Sequence, residues 1–178
     1  MPTHNSTGHC AKTRHQLSQT LNIPMTFDIC TALPTLLPKA IAWAKNCSTL
    51  IAQTGNPLDE KLATVARRVG VAHPEHIRFL EAVSFPLPDD PELKQAALAI
   101  DLLGPDMLGL TLGYGVYIRR GYRSLRLLSH EFRHVHQYET AGSIEAFLPA
   151  YLQQIVTLGY SNAPFEVDAR AYEIRAFL

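Results

Sequence analysis

Apolar residues Leu36, Leu37, Ala40, Ile41 and Ala44, with Trp43, recur at three-and-four spacing and predict a helix over 35–53, closed by Gly55-Asn56-Pro57. A second helix is expected over 57–69, with Asp59 and Glu60 in its first turn and Gly70 after it. A third is expected over 74–83. The prolines at 86, 88 and 91 make 85–91 a rigid connector, since proline fixes φ and lacks an amide hydrogen. A short helix over 91–102 follows, then the turn Gly104-Pro105-Asp106. Leu110, Leu112, Tyr114, Val116 and Ile118 alternate with Thr111, Gly113, Gly115 and Tyr117, the period of a strand, and place the two glycines together on the opposite face. Helices over 125–141, between an N-cap Ser124 and Gly142, and over 144–156, with Pro149 inside, complete the pattern. Many helices with one small sheet or hairpin ahead of the 125–141 helix make an α+β, mostly helical fold.

The 125–141 helix has two unlike faces. Leu125, Leu128, Phe132 and Val135 form an apolar stripe that packs. His130 and His134, four residues apart, project together from the other side, with Glu131 beside them in an H-E-x-x-H run. Two neutral imidazoles so placed suit Zn²⁺, and the adjacent carboxylate can take a proton from water activated by the ion. His136 projects away from this pair, whereas Gln137 and Tyr138 return towards it.

A catalytic zinc site takes three protein ligands, so one must come from elsewhere. Glu166 follows the turn Ser161-Asn162-Ala163-Pro164 and stands near the start of a further helix, where it can complete a His-His-Glu set. In this the chain resembles the gluzincin type of zincin metallopeptidase. Phe165-Glu166-Val167-Asp168-Ala169 has the F-E-x-x-A form found in prenyl-protein-processing membrane proteases. The resemblance covers roughly residues 110–178 and implies a zincin-like domain, with His130, His134 and Glu166 as ligands, Glu131 as general base and a peptide or protein substrate. It implies that Tyr160 donates to the oxyanion of the tetrahedral intermediate, and that an edge strand before the metal helix receives substrate backbone. Those proteases usually carry aspartate where Arg170 stands here, leaving Asp168 and Glu173 to orient the ligands.

With 178 residues, 47% of them hydrophobic, the chain can bury one substantial core, and one domain over 25–178 is expected: a helical part over 25–105 and a metal-site part over 106–178. Residues 1–24, poor in large apolar groups, read as a disordered arm, with His4, His9 and His15 solvated. Sixteen basic against sixteen acidic residues argue against nucleic acid as a partner and against a membrane surface. Arg119, Arg120, Arg123, Arg126 and Arg133 crowd the metal helix; they read as a solvated face or as a preference for acidic substrates. The three cysteines, Cys10, Cys30 and Cys47, are odd in number and lack C-x-x-C spacing, which suits a reducing compartment. With no apolar leader or span, a cytoplasmic location is expected.

Two rival readings carry other functions. The same ligands can hold a structural or regulatory zinc in a non-catalytic binding module. Leu62–Val71, followed by Ile77 and Leu80, resembles the helix-turn-helix pattern of DNA-binding regulators, which requires the 74–83 segment to be helical.

Overall fold

A computed structural model describes residues 28–176 of the chain; the expected N-terminal arm, with its three histidines and Cys10, lies outside them. Helix α1, Ile29–Thr54, begins well before the predicted Thr35, because Asp28 caps it by accepting from the Cys30 amide at 3.0 Å. Pro34 and Pro38 lie inside it. Each removes one helical hydrogen bond, a cost offset by the buried stripe Leu36, Ala40, Ala44, Cys47 and Ile51.

Strand β1 is Asn56–Pro57, and helix α2 is Glu60–Arg68, later than predicted because Asp59 takes the N-cap position and accepts from the Leu62 amide at 2.8 Å. The predicted 74–83 helix is absent. Pro74–His76 makes a single 3-10 turn and Arg78–Ala82 is strand β2, pairing in parallel with a later strand. Ile77 and Phe79 pack on one side while Leu80 faces the other cluster, so a period of two prevails over the i,i+3 spacing of Ile77 and Leu80. The helix-turn-helix reading loses its second helix.

Helix α3, Pro91–Ala99, is capped by Asp90. The predicted single strand over 110–118 is instead a hairpin of β3, Gly109–Leu112, and β4, Gly115–Arg119, with a turn at Gly113-Tyr114 where Gly113 adopts φ 65°. The turn inverts the facing. Leu110 lies opposite Tyr117 and Thr111 opposite Val116, so Leu110, Leu112 and Tyr117 join one cluster while Val116 and Ile118 join the other. The four strands run β1-β2-β4-β3, which makes β3 an edge.

Helices α4, Leu125–Ala141, α5, Ile144–Leu158, and α6, Pro164–Ala171, follow, with a 3-10 turn at Tyr160–Asn162. The result is an α+β fold of six helices and a small sheet among the described residues. One hydrophobic cluster gathers α1, α3, β3 and α5; the second gathers α2, β2, β4 and the stripe Leu128, Phe132 and Val135 of α4. Among the described residues no helix is long and apolar enough to cross a membrane.

Gly115 shows how tightly α1 lies on the sheet, for a Cβ there would stand 2.1 Å from the Cγ2 of fully buried Ile51. Gly115→Ala should therefore lower stability by about 1–3 kcal/mol and the melting temperature by roughly 2–12 °C, as an overpacked core does. An unchanged melting curve would mean that Ile51 moves freely.

Candidate metal centre

Ser124 caps α4 by accepting from the Leu127 amide, and Gly142 closes it in the left-handed region, so positions 130–134 fall in the middle of a regular helix. Its apolar stripe fixes the roll of the helix and turns His130, Glu131, His134, Gln137 and Tyr138, all buried, towards α5, α6 and β3. Proline at the start of α6 supplies its first turn without an idle amide, and Glu166 projects from that turn with no exposure to solvent.

The three predicted ligands converge. His130 Nε2 and His134 Nε2 are 3.2 Å apart, Glu166 Oε2 is 3.4 Å from the first and Glu166 Oε1 is 3.3 Å from the second. A tetrahedral zinc with bonds of about 2.0–2.1 Å to nitrogen and oxygen separates its ligand atoms by roughly 3.3 Å, close to the spacing of the two nitrogens from each other and of each nitrogen from its nearer Glu166 oxygen, a different oxygen for each imidazole. Glu166 Oε2 is buried and has no hydrogen-bond partner, the state of a carboxylate oxygen set aside for a cation. Two imidazole nitrogens facing each other at this distance also demand a proton or a cation between them. The donor set therefore fits zinc. A second group, His73, Glu75 and His76, is wholly exposed and lies on the 3-10 turn before β2.

The second layer explains how the ligands are aimed. Gln137 Oε1 lies 2.8 Å from His134 Nδ1 and can accept its proton, which leaves Nε2 as the lone-pair nitrogen facing His130 and Glu166. The Gln137 amide group donates to Phe165 O and to Asp168 Oδ2, while Arg133 holds Asp168 through two nitrogens at 2.7 and 3.0 Å. Asp168 thus reaches His134 through Gln137. Glu173 stands directly behind His130, with Oε1 3.4 Å from Nδ1, and is itself held by Arg126 Nε. Tyr151 donates to Glu166 Oε1 at 2.8 Å. Arg170, which stands where the resembling proteases usually carry aspartate, places Nη1 3.8 Å from Glu166 Oε2.

Glu131 is set apart from His130, His134 and Glu166. Thr111 Oγ1 donates to its Oε2 at 2.7 Å, and a Cβ on Gly109 would stand 2.2 Å from its Oε1. Of the hairpin glycines it is Gly109 that lies under Glu131, while Gly113 forms the turn and Gly115 meets Ile51. Tyr160, on the 3-10 turn before α6, borders the same space as Glu131 and Glu166. Tyr160 is 39% exposed, yet desolvation around its hydroxyl, then the Glu166 and Glu131 charges, push that group above the ordinary phenol value. His136 faces away, as predicted, with Nδ1 2.7 Å from Gly70 O.

The arginines beside α4 are mostly engaged: Arg119 donates to Met107 O, Arg123 pairs with Glu81, Arg126 with Glu173 and Arg133 with Asp168. Arg120 is exposed. Those ion pairs leave little for an acidic substrate.

Thr111, Gly109 and Tyr151 were not singled out from sequence. Tyr151 carried a faint signal: a phenol within the apolar stripe of α5 needs a partner for its hydroxyl. Compared with protein-family models, curated proteins and solved structures, the chain matches none of them.

Charge reinforces the geometry. Burial alone would raise the Glu166 pKa, yet the His130 and His134 imidazoles beside it hold it far below the ordinary carboxylate value. Burial likewise opposes charging of His134, but the Glu166 and Glu131 carboxylates outweigh it and hold its pKa above 6.5. Without metal, a protonated His134 therefore stabilises the fold at low pH, and that contribution fades as pH rises through the raised pKa. Zinc needs the neutral imidazole, so its binding releases this proton. The rise in melting temperature on adding zinc should accordingly be small near pH 5.5 and grow towards about pH 8; calorimetry at several pH values showing a constant zinc effect would contradict this. Gln137→Leu removes the acceptor behind His134 together with the donors to Phe165 O and Asp168; it should weaken zinc affinity by about 10- to 100-fold, measurable by competition with a chelating dye, and also lower the melting temperature.

Proposed function

We propose that the protein is a zinc-dependent peptidase with a His130-His134-Glu166 site, built on a zincin-like arrangement of edge strand, metal helix and ligand helix. The observation that carries this reading is the buried cluster of His130, His134 and Glu166, with 3.2 Å between the imidazole nitrogens and 3.3–3.4 Å from each to a Glu166 oxygen, and Glu131 beside it, held by a different partner and facing the same space. Bound there, zinc would supply a Lewis acid that polarises the scissile carbonyl and lowers the pKa of a coordinated water. Glu131, aimed by Thr111 over the bare backbone of Gly109, takes the proton as water oxygen bonds to the carbonyl carbon. It passes that proton to the amine as the C–N bond breaks. Tyr160 donates its hydroxyl hydrogen to the oxyanion. The edge position of β3 supports entry of a peptide as an added strand.

The rival is a non-catalytic zinc module. Its hallmark is a fourth side chain closing the coordination sphere, and among the described residues the buried group has three members, His130, His134 and Glu166. That count favours the enzyme.

Glu131→Gln separates the two. It preserves shape and can still accept from Thr111, but it cannot take a proton. Zinc content and melting temperature should match wild type, while peptide hydrolysis falls by about a hundredfold or more. Equal cleavage by both proteins would remove Glu131 from the mechanism; zinc held with no cleavage by wild type of a broad peptide library would favour the module.

A further inference from the structure

Away from the buried cluster, three more side chains of metal-binding type converge at the surface. They are His73, Glu75 and His76, carried by the short turn that leads into β2. Glu75 Oε1 lies 3.2 Å from His73 Nδ1 and 4.0 Å from His76 Nε2, so both imidazoles address the same carboxylate oxygen. The three ligand atoms all fall within 4.8 Å of one another.

The backbone beneath them is held from several sides. Along one flank of α4, Arg133 donates to Val69 O at 2.9 Å, His136 Nδ1 lies 2.7 Å from Gly70 O, and Glu139 accepts from the Ala72 and His73 amides at 2.8 and 2.9 Å. Positions 133, 136 and 139 are spaced by three, so one helix flank carries the whole segment. Buried Pro74 has its φ fixed by its ring, and the His76 amide closes the turn by donating to His73 O at 3.1 Å. Tyr114 donates its hydroxyl hydrogen to Glu139 Oε1 at 3.0 Å and stands edge-on to the His76 ring, with centroids 5.2 Å apart. Only the exposed side chains of the cluster are left to move. Rotation about their own bonds can close the wider gap without disturbing the turn.

The charges around Glu75 decide which ligand suits the cluster. Arg78, three residues on, spends its guanidinium on the Glu75 and Ile77 carbonyls, at 2.9 Å each, and not on the carboxylate. Among the described residues the ion-pair partners of that carboxylate are the two imidazoles. Neutral imidazoles leave its charge uncompensated, and each offers a lone pair to a cation. Two nitrogens and one oxygen suit zinc, nickel or copper, whereas magnesium and calcium take oxygen ligands.

We propose that His73, Glu75 and His76 form a second metal site, which takes an exchangeable divalent transition ion such as Zn²⁺, Ni²⁺ or Cu²⁺ and leaves its remaining coordination positions to water. None of its ligands belongs to the buried cluster. The site therefore stands whether or not that cluster holds zinc or cleaves peptides.

The experiment uses the full chain near neutral pH. Zinc binding is measured by equilibrium dialysis with metal analysis on wild type, Glu75→Gln and the double variant His73→Gln/His76→Gln. Every other histidine is present in all three proteins, so their difference isolates this group. The double variant should bind one ion fewer than wild type. Glu75→Gln should weaken that ion by about tenfold, because an anion beside a dication is replaced by a neutral amide. Since all three side chains are exposed, the melting temperatures without metal should agree. In wild type, the imidazole NMR signals of His73 and His76, assigned through their own backbones, should shift on adding Zn²⁺ and stay in place with Mg²⁺ at the same concentration.

Equal zinc stoichiometry in wild type and the double variant overturns the proposal, and so do His73 and His76 signals that ignore saturating zinc. Shifts produced equally by Mg²⁺ overturn the assignment to a transition ion. The NMR titration is made on wild type and decides the matter even if a variant folds poorly.

Discussion

A carboxylate with no exposure to solvent sits at the centre of this molecule, and much of the local architecture serves to make that tolerable. An ionised Glu166 in an apolar interior is affordable only with positive charge or several donors around it. It has two imidazoles from α4, a phenol from α5 and the guanidinium of Arg170 from its own helix. Three helices must therefore be in register before the group is satisfied. The same carboxylate, if any one of them slips, becomes an unpaired buried charge, whose cost is several kcal/mol.

This couples the C-terminal helix to α4 through polar chemistry more than through apolar area. Of the eight residues in α6, only Glu166 and Ala169 are buried. What ties it down is a chain of polar contacts: Gln137 to Phe165 O and Asp168, Arg133 to Asp168, and Ser129 Oγ accepting from the Ile174 amide. Arg133 also donates to Val69 O at the end of α2 and lies 3.6 Å over the Tyr172 ring. Residues behind the ligands thus do structural work that a purely apolar contact would otherwise perform, and rotamers of His134 and Gln137 are fixed by the same bonds that hold the helices together.

The sequence carried the local chemistry well and the long-range pairing poorly. The H-E-x-x-H pair, its apolar counter-face and the meeting of Glu166 with the two histidines could be read because each depends on helical spacing or on a short motif. The 74–83 segment could not. Its alternation and its i,i+3 spacing are both present in Ile77, Phe79 and Leu80, and only pairing with Val116 and Tyr117, almost forty residues on, decides between them. The turn inside 110–118 is hidden for a similar reason. Leu110 to Ile118 alternates without a break, and the φ of 65° at Gly113, which turns the strand back on itself, leaves no trace in the alternation. Gly109, whose missing side chain makes room for Glu131, is visible as functional only once β3 and α4 are known to touch.

The way Glu131 is held distinguishes it from its neighbours in a manner that bears on mechanism. His130 and His134 face Glu166, so they answer to one another's charge. Glu131 answers to the sheet, accepting from Thr111 at 2.7 Å and lying across Gly109. A base that shared partners with the ligands would shift whenever a cation entered or left. One anchored to an edge strand keeps its position, and the bare backbone beneath it leaves its Oε1 uncommitted among the hydrogen bonds of the described residues while Oε2 is held. Fixing one oxygen and leaving the other free is the arrangement that lets a carboxylate accept a proton and release it without reorganising its surroundings.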